Sequence, residues 1–369
     1  MKYIAEYRDA AVVHNYLDKI NKIVTKPWTI MEVCGGQTHS LVKHGIIDIL
    51  PEEISIVHGP GCPVCVTPQS IINLAIELAV EYKVILCSYG DMLRVPGSKM
   101  SLLEAKANGA DIRILYSPLE AVDIARSNPG KQVVFFAVGF ETTAPANALS
   151  VLHASQGDGL NNYSILTAHV LVPPAIAAIM EDPFTRVDGF LAAGHVCTIM
   201  GNSEYYPLVE KYKIPIVITG FEPVDLMQGL LMTITQLEKG VCKVENQYAR
   251  VVKEEGNKEA QDVINKVFEV TDRDWRGIGL IPFSGYEVRP AFKQYDALKK
   301  FNLVANNKEN ITECIAGDIL KGIKKPKDCK FFGTTCSPLN PLGAPMVSTE
   351  GACAAYYNFH RPSINHNFN

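Results

Sequence analysis

Continuous apolar stretches alternate with helical patterns between residues 28 and 238, and this alternation restricts the folds that are open to the chain. Between the stretches, apolar side chains recur with the 3.6-residue period of a helix. Strands that are apolar on both faces and separated by helices are typical of parallel sheets covered by helices. The sequence therefore predicts an α/β fold. The predicted strands span residues 28–33, 54–57, 84–88, 112–116, 133–138, 164–167, 189–193 and 214–219.

The composition excludes several classes of protein. The chain has 369 residues, of which 47% are apolar and 20% charged, as in a globular protein with sizeable cores. Its net charge is −4 and it has no long run of Lys or Arg, so nothing indicates binding to nucleic acid. We find no apolar stretch of membrane-spanning length and no signal peptide, and we expect a cytoplasmic protein. Ten cysteines in such a protein indicate metal or redox chemistry rather than a disulfide framework.

Two cysteines, Cys62 and Cys65, lie in the loop of residues 59–65, whose sequence is GPGCPVC. A predicted strand leads into this loop, and a predicted helix leaves it at Pro68. The N–H groups and the dipole at a helix N-terminus favour thiolate over thiol. The pattern therefore indicates a redox pair or a soft-metal site. Two cysteines packed in a core are the alternative, which is disfavoured because Gly and Pro on both sides suit an exposed turn.

Cys34 follows the first predicted strand and precedes two glycines, Gly35 and Gly36. Doubly wound sheets bind their ligands at this end of the strands. The glycines let the backbone approach a bound group, and His39 lies five residues further along. Cys34 is therefore a candidate nucleophile or metal ligand. The alternative is a small buried residue in a tight turn.

Other polar residues also follow predicted strands. His195 and Glu141 are candidate catalytic residues, although a lone histidine is more often a hydrogen-bonded structural residue and Glu141 could cap the next helix. The same two interpretations apply to Asp91 and Glu222. Glu350 is either a link between the C-terminal region and the crevice or a surface charge.

Three further cysteines carry weaker signals. Cys87 lies inside an apolar strand and Cys242 in a polar connector, so both are predicted to be structural. Cys197 either lines the crevice or packs in the core. The chain has neither the P-loop motif nor the G-x-G-x-x-G motif, which argues against an ATPase and against a standard dinucleotide enzyme.

Four late cysteines are separated by 14, 6 and 16 residues in a segment with little regular periodicity. Four thiolates suit either a structural zinc ion or an iron–sulfur cluster. The wide spacing, without a short zinc knuckle, favours a [4Fe–4S] cluster, while zinc and unligated core cysteines stay open as alternatives. The four residues are Cys314, Cys329, Cys336 and Cys353.

These features predict two doubly wound parallel-sheet halves around a central cleft, followed by a C-terminal iron–sulfur region. An N-terminal helix at residues 1–27 is expected to pack with the C-terminal region. The first α/β domain, with Cys34 and the Cys-x-x-Cys pair, is expected at residues 28–138 and the second at residues 139–238. Residues 239–369 would form a connector and the cluster region.

Together these motifs resemble those of the HypD family of hydrogenase maturation proteins, and the resemblance runs through nearly the whole chain. Cys197 directly follows the GHV motif, and the resemblance assigns no role to it. The motifs are CGGQTH at residues 34–39, GPGCPVC at 59–65, GFETT at 139–143, GHV at 194–196, GFEP at 220–223 and the late cysteines, the last of them in MVSTEGAC at 346–353.

The resemblance implies a metallocentre assembly scaffold with redox activity, rather than a metabolic enzyme, for the Fe(CN)2CO group of [NiFe] hydrogenase. It implies a transient iron bound by Cys34 with His39 nearby, and a Cys62–Cys65 pair that passes electrons between a cluster and this iron. The implied partners are HypC, HypE with HypF upstream, and indirectly the hydrogenase large subunit. The implied ligands of the [4Fe–4S] cluster are Cys314, Cys329, Cys336 and Cys353.

Two other functions stay open from the residues alone. One is a free-standing thiol–disulfide oxidoreductase in which an iron–sulfur cluster only stabilises the fold. The other is a zinc-stabilised binding module. A tightly bound iron that carries cyanide would distinguish the scaffold from both.

Overall fold

The computed structural model describes residues 6–157, 159–305 and 313–360. The strands are β1 (Trp28–Glu32), β2 (Ile54–His58), β3 (Ile85–Ser88), β4 (Ile112–Ile114), β5 (Val133–Gly139), β6 (Tyr163–His169), β7 (Gly189–Ala193), β8 (Ile216–Thr219), β9 (Val244–Asn246), β10 (Phe268–Trp275) and β11 (Gly279–Val288). The helices are α1 (Ala10–Ile23), α2 (Gly35–Lys43), α3 (Ile46–Ile49), α4 (Pro63–Val66), α5 (Gln69–Val80), α6 (Leu102–Ala107), α7 (Pro118–Ser127), α8 (Ala144–Ala154), α9 (Val172–Glu181), α10 (Gly194–Met200), α11 (Tyr206–Tyr212), α12 (Pro223–Glu238), α13 (Lys258–Val267), α14 (Ala297–Lys300), α15 (Ala316–Leu320) and α16 (Ala352–Phe359). Short 3-10 helices span Glu6–Arg8, Gly90–Arg94, Ser203–Tyr205, Pro290–Tyr295, Pro326–Asp328 and Ala344–Met346. Within these ranges, no helix is long and apolar enough to cross a membrane.

Two parallel sheets flanked by helices form the framework of the molecule. The strand order is β2-β1-β7-β8-β9 in the first sheet and β4-β3-β5-β6 in the second. Every strand pair in both sheets is parallel. The predicted α/β fold with two parallel-sheet halves is therefore confirmed. The antiparallel hairpin of β10 and β11 was not predicted.

Each sheet has one point at which the direction of winding reverses. In the first sheet the chain runs outward from β1 to β2 on one side and from β7 to β8 on the other. In the second sheet the corresponding neighbours are β3 and β5. A crevice opens at the carboxyl ends of the strands at such a point. Cys34 and His195 follow β1 and β7, and Glu141 follows β5.

The sheets cut across the predicted boundary at residue 138. The strands β1 and β2 share a sheet with β7 and β8, whereas β3 to β6 form the other sheet. The division into residues 28–138 and 139–238 therefore does not match the sheets, because local patterns predict which segments are strands and not which strands pair. Residues 239–266 are also more than a connector, since they supply the edge strand β9 and most of α13.

Among the described residues, the N-terminal helix α1 packs on α12. We had expected it to pack with the C-terminal region. Val13 and Ile20, on one face of α1, lie in the same buried cluster as Leu230 of α12. Arg8, just before α1, forms an ion pair with Glu222 at the start of α12. The apolar face of α1 is thus covered by another amphipathic helix, which accounts for its position.

Local signals set several helix ends. The helix α7 follows Ser117, whose side chain accepts a backbone N–H while Glu120 accepts the N–H of Ser117 at 2.8 Å. This capping box, with proline at the first helical position, explains why α7 begins at Pro118. The helix α2 begins at Gly35, directly after Cys34, which is its N-cap.

Candidate functional site

Cys34 lies between the carboxyl ends of β1 and β7, where the first sheet reverses its winding. Its side chain is 2% exposed. Its backbone N–H donates to Oε2 of Glu32 at 2.9 Å, and the N–H of Gly35 donates to the carbonyl oxygen of Gly61 at 2.8 Å. The loop of residues 59–65 therefore lies directly against Cys34. Gly61 permits this approach, because a Cβ there would be 2.2 Å from the backbone nitrogen of Cys34.

His195, in the first turn of α10, is brought next to Cys34. The Sγ atom of Cys34 is 3.7 Å from Nδ1 and 3.9 Å from Nε2 of His195. The ring of Phe221, which follows β8, packs on the imidazole with the ring centroids 5.0 Å apart. Both rings are half-buried. Phe221 was not identified from the sequence, although the Gly-Phe-Glu turn after a strand was the signal available for it.

Burial determines the charge of this pair. Burial raises the pKa of the Cys34 thiol well above its usual value, and backbone hydrogen bonds at the start of α2 offset only part of the effect. Burial lowers the pKa of His195 to about 4, so that the imidazole is neutral at pH 7. A neutral imidazole can accept the thiol proton when a cation nearby stabilises the thiolate.

Cys62 and Cys65 form a disulfide, with their Cα atoms 5.3 Å apart. The expected exposed turn is wrong, because the two side chains are 3% and 1% exposed. The backbone of residues 33–35, here called the Cys34 loop, contacts the loop that carries the pair. The 3-10 helix Ala344–Met346 contacts Cys65 itself. Cys62 is the N-cap of the short helix α4, which was not predicted, and its Sγ accepts the N–H of Cys65 at 3.3 Å. The helix predicted from Pro68 is α5, with Pro68 as its N-cap.

A short backbone segment separates the disulfide from the late cysteines. The Sγ atom of Cys65 is 4.0 Å from the carbonyl oxygen of Ala344. The preceding residue, Gly343, lies against Cys314, where a Cβ on the glycine would be 2.4 Å from Sγ. The Cys62–Cys65 pair and the late cysteines therefore meet across Gly343 and Ala344.

The four late cysteines line a single cavity. Its other walls are mainly apolar. Burial raises the pKa of Cys353, and negative charge on the other three cysteines would raise it further, so the four thiols share one electrostatic environment. The fold thus gathers cysteines that are spread over the C-terminal sequence. The lining consists of Cys314, Ile315, Ile319, Cys329, Phe332, Cys336, Gly343, Pro345, Met346 and Cys353.

A buried polar network behind Cys34 was missed by the sequence analysis. Glu32 and His58 are paired in register at the ends of β1 and β2, with Oε1 and Nδ1 2.6 Å apart. His58 Nε2 lies 3.1 Å from the hydroxyl oxygen of Tyr356 on α16. The available signal was an ionisable residue at the carboxyl end of each of two successive apolar strands.

His39 turns towards the C-terminal region rather than towards Cys34. Its Nδ1 lies 3.2 Å from the carbonyl oxygen of Thr349. The next residue, Glu350, packs against Gly35, where a Cβ would be 2.5 Å from the Cβ of Glu350. Glu350 therefore links the C-terminal region to the Cys34 loop, as one interpretation of the sequence had it. A role for His39 at a bound metal stays a prediction.

Glu141 belongs to a second buried polar group. Its side chain is 1% exposed, and Oε1 accepts the N–H of Val172 at 2.9 Å. Among the described residues, Oε2 has no hydrogen-bond partner. Burial raises the pKa of Glu141 to about 8. Burial raises the pKa of Cys197 and of Tyr205, and a negative charge on the nearby Glu141 would raise both further. A catalytic role for Glu141 stays a prediction.

The remaining candidates have contacts that suit structural roles. Asp91 pairs with Arg94 at 3.0 Å, and Glu222 stands at the N-cap of α12. Cys87 is fully buried within β3, and the thiol of Cys242 donates to a backbone carbonyl.

Known proteins resemble this chain over almost its full length. The family model described as "HypD: Hydrogenase formation hypA family" matches residues 11–360. This chain belongs to the HypD family. The HypD match extends from α1 to the end of α16, so it includes Cys34, the Cys62–Cys65 pair and all four late cysteines.

Individual HypD relatives also match this chain over almost its full length. The hydrogenase expression/formation protein HupD of Azotobacter chroococcum mcd 1 is 47% identical over 370 residues, which cover 98% of this chain and 97% of that protein. The hydrogenase maturation factor HypD of Azotobacter vinelandii is also 47% identical, with the same coverage. The hydrogenase maturation factor HypD of Escherichia coli (strain K12) is 41% identical over 367 residues, covering 97% of this chain and 98% of that protein.

Proposed function

We propose that this protein is a hydrogenase maturation factor that serves, with HypC, as the scaffold for assembling the Fe(CN)2CO group of [NiFe] hydrogenase. It accepts cyanide from HypE, which depends on HypF, and the finished group passes to the hydrogenase large subunit. Membership of the HypD family supports this class of function. One observation carries the mechanism. Cys34 lies against the loop of the Cys62–Cys65 pair, and this pair lies next to the four-cysteine cavity.

Cys34 holds the iron, which is the substrate of the assembly. Iron that carries cyanide and CO favours soft thiolate ligands. His195 lies 3.7 Å from the sulfur and can take the thiol proton as iron binds, because the cation stabilises the thiolate. The half-buried rings of His195 and Phe221 face the crevice, from which a cysteine of HypC can reach the same iron.

Cys62 and Cys65 supply the electrons for cyanide delivery. A thiocyanate on the carrier releases cyanide when its sulfur–carbon bond breaks, and two electrons are needed for the carbon to leave as cyanide and the sulfur as thiolate. The dithiol form of the pair provides these two electrons and becomes a disulfide, which is the form of the pair in this structure. The hydrogen bond from Gly35 to Gly61 keeps this electron source beside Cys34.

The late cysteines would hold a [4Fe–4S] cluster as Cys314, Cys329, Cys336 and Cys353. Four thiols in one cavity, an otherwise apolar lining and the missing side chain at Gly343 fit such a group. When bound, the cluster supplies one-electron transfer, which is the chemistry needed to return the Cys62–Cys65 pair to its dithiol form. Only Gly343 and Ala344 lie between the Cys62–Cys65 pair and Cys314.

The spacing of the late cysteines in the sequence favours a cluster over a zinc ion, because 14, 6 and 16 residues separate them and none forms the short knuckle of a zinc site.

Infrared spectroscopy tests the proposal on protein purified without air from cells that also make the partners. We expect bands in the cyanide and carbonyl stretching regions. The Cys34→Ala variant should lose these bands and keep the brown absorbance of the cluster. The matched control is Cys242→Ala, which removes a cysteine far from these sites in the sequence and should keep both signals.

Each other outcome points to a different function. Unchanged bands in Cys34→Ala would refute the assignment of Cys34. Iron and sulfide without any bands in the native protein would support the thiol–disulfide oxidoreductase. Zinc in place of iron would support the binding module.

A further inference from the structure

A chain of buried hydrogen bonds runs from the Cys34 loop towards the four-cysteine cavity. It begins at Glu32, the last residue of β1, whose side chain is fully buried. Oε2 of Glu32 accepts the backbone N–H of Cys34 at 2.9 Å. Oε1 lies 2.6 Å from Nδ1 of His58 and also accepts the hydroxyl of Thr38. Both oxygens of this carboxyl group therefore have partners on the elements around Cys34.

His58 extends the chain of hydrogen bonds to the C-terminal helix. Its Nε2 is 3.1 Å from the hydroxyl oxygen of Tyr356, and the two rings meet edge to face with centroids 5.3 Å apart. Tyr356 is 4% exposed and lies on α16, one turn after Cys353. These hydrogen bonds thus connect the backbone N–H of Cys34 with α16, the helix that carries Cys353.

Stability alone is a weak reason for these side chains. Moving a carboxyl group and an imidazole out of water costs free energy, and an apolar pair of similar volume is often as stable as a buried polar pair. Glu32 and His58 nevertheless face each other at the ends of two strands whose other buried residues are all apolar. Their hydrogen bonds fix the geometry of the Cys34 loop, which apolar side chains could not do.

We propose that Glu32, His58 and Tyr356 are positioning residues that make the order of the Cys34 loop depend on the state of the four-cysteine cavity. A group bound by Cys353 fixes α16, and Tyr356 is fixed with it because both residues lie on that short helix. The hydrogen bonds to His58 and Glu32 then hold the N–H of Cys34 in place. Cys34 therefore receives iron only when the cluster is in place.

This inference rests on the proposed function, because it needs a cluster in the cavity. It goes beyond that function by assigning a task to three residues that would bind neither the cluster nor the iron. Other contacts also join the same regions, among them those from His39 to Thr349 and from Glu350 to Gly35, and the packing of the His39 ring on Phe359 of α16. The test must therefore remove one hydrogen bond of the network and leave these contacts intact, which Tyr356→Phe does.

The experiment measures the initial rate at which iodoacetamide alkylates Cys34, followed by mass spectrometry of its peptide. Each protein is examined with its cluster and after removal of the cluster, with the disulfide kept oxidised. Because Cys34 is 2% exposed, the rate reports how often its loop opens. In the native protein we expect the cluster to slow alkylation by about fivefold or more. In Tyr356→Phe the two rates should be nearly equal.

Tyr357→Phe is the matched control, because Tyr357 is the neighbouring tyrosine on α16 and is 38% exposed. It should keep the native ratio of rates. A merely structural role for Tyr356 predicts a lower melting temperature with the native ratio retained, and that result overturns the proposal. Equal rates with and without a cluster in the native protein also overturn it. A native protein without any cluster absorbance overturns the proposed function as well, so the two failures are distinguishable.

Discussion

The Sγ atom of Cys34 lies 3.7 Å from Nδ1 of His195, although 161 positions separate the two residues in the chain. The contact exists because β1 and β7 are neighbours at the point where the first sheet reverses its winding. Each residue follows the carboxyl end of its strand, so the pair occupies the crevice where such sheets bind ligands. Among the candidate histidines, His195 is thus the one placed to act on the Cys34 sulfur.

We predict that His195→Ala lowers the amount of Fe(CN)2CO held by the protein by about tenfold or more, because losing one hydrogen bond to a charged group costs about 1.5–3 kcal/mol. The Cys34 thiol loses the imidazole that takes up its proton, while the late cysteines are unaffected. Infrared band intensity per cluster measures the effect. His39→Ala is the control, because His39 contacts Thr349, and it should have the smaller effect. An equal loss in both variants would contradict the assignment.

The sequence predicted the strands well and their neighbours poorly. Apolar segments that end in glycine turns gave β7 at its observed residues and β1 to within one residue. They also predicted Cys34 and His195 as residues at strand ends. The pairing of β1 with β7 depends on packing between distant segments, which no local pattern contains.

Local sequence patterns could not predict two features of the site, because both depend on packing between distant segments. The loop of residues 59–65 has the composition of an exposed turn, yet the 3-10 helix Ala344–Met346 and the Cys34 loop cover it. Turn residues specify the shape of the backbone and not what packs on it. Glu32 and His58 each resembled an ordinary polar strand end, and only the register of β1 with β2 makes them a pair.

We predict that Cys62→Ser blocks hydrogenase maturation without unfolding the protein. Closing the four-residue loop of the disulfide contributes about 2 kcal/mol in the chain-entropy treatment, which is a fraction of a domain's stability. The serine variant should therefore stay folded by circular dichroism, with a modestly lower melting temperature. Hydrogenase activity in cells measures maturation, and Cys87→Ser serves as a control in a buried cysteine of β3. Normal activity of the Cys62→Ser cells would rule out the redox role.

We predict that Gly343→Ala strongly reduces the cluster content, because the added Cβ would lie 2.4 Å from the Sγ atom of Cys314. The sulfur must move out of the cavity, whereas Cys336→Ala removes a sulfur outright and should abolish the brown absorbance. Gly130→Ala is the control, because a Cβ there meets nothing within 4 Å. Absorbance and iron content per chain are the measurements. Full cluster content in Gly343→Ala would show that Cys314 does not bind in its present position.

Glu141 makes the stability of the fold depend on pH. Burial raises its pKa from 4.5 to about 8. Below pH 4.5 the side chain is protonated in both the folded and the unfolded chain, so this residue adds no pH dependence. Between these two values the unfolded chain releases the proton and the folded chain keeps it. The free energy of unfolding therefore falls as pH rises, by about 1.4 kcal/mol per pH unit for this one group.

We predict that Glu141→Gln flattens this part of the pH profile. The amide keeps a carbonyl oxygen for the N–H of Val172, which Oε1 of Glu141 accepts at 2.9 Å, and it cannot ionise. Urea unfolding at several pH values from 5 to 9 measures the slope, and the variant should lose least stability towards the alkaline end. The exposed Glu259, changed to Gln, should leave the native slope in place. If Glu141→Gln keeps the native slope, the group that titrates with folding is not Glu141, and its carboxyl group is not held protonated by burial.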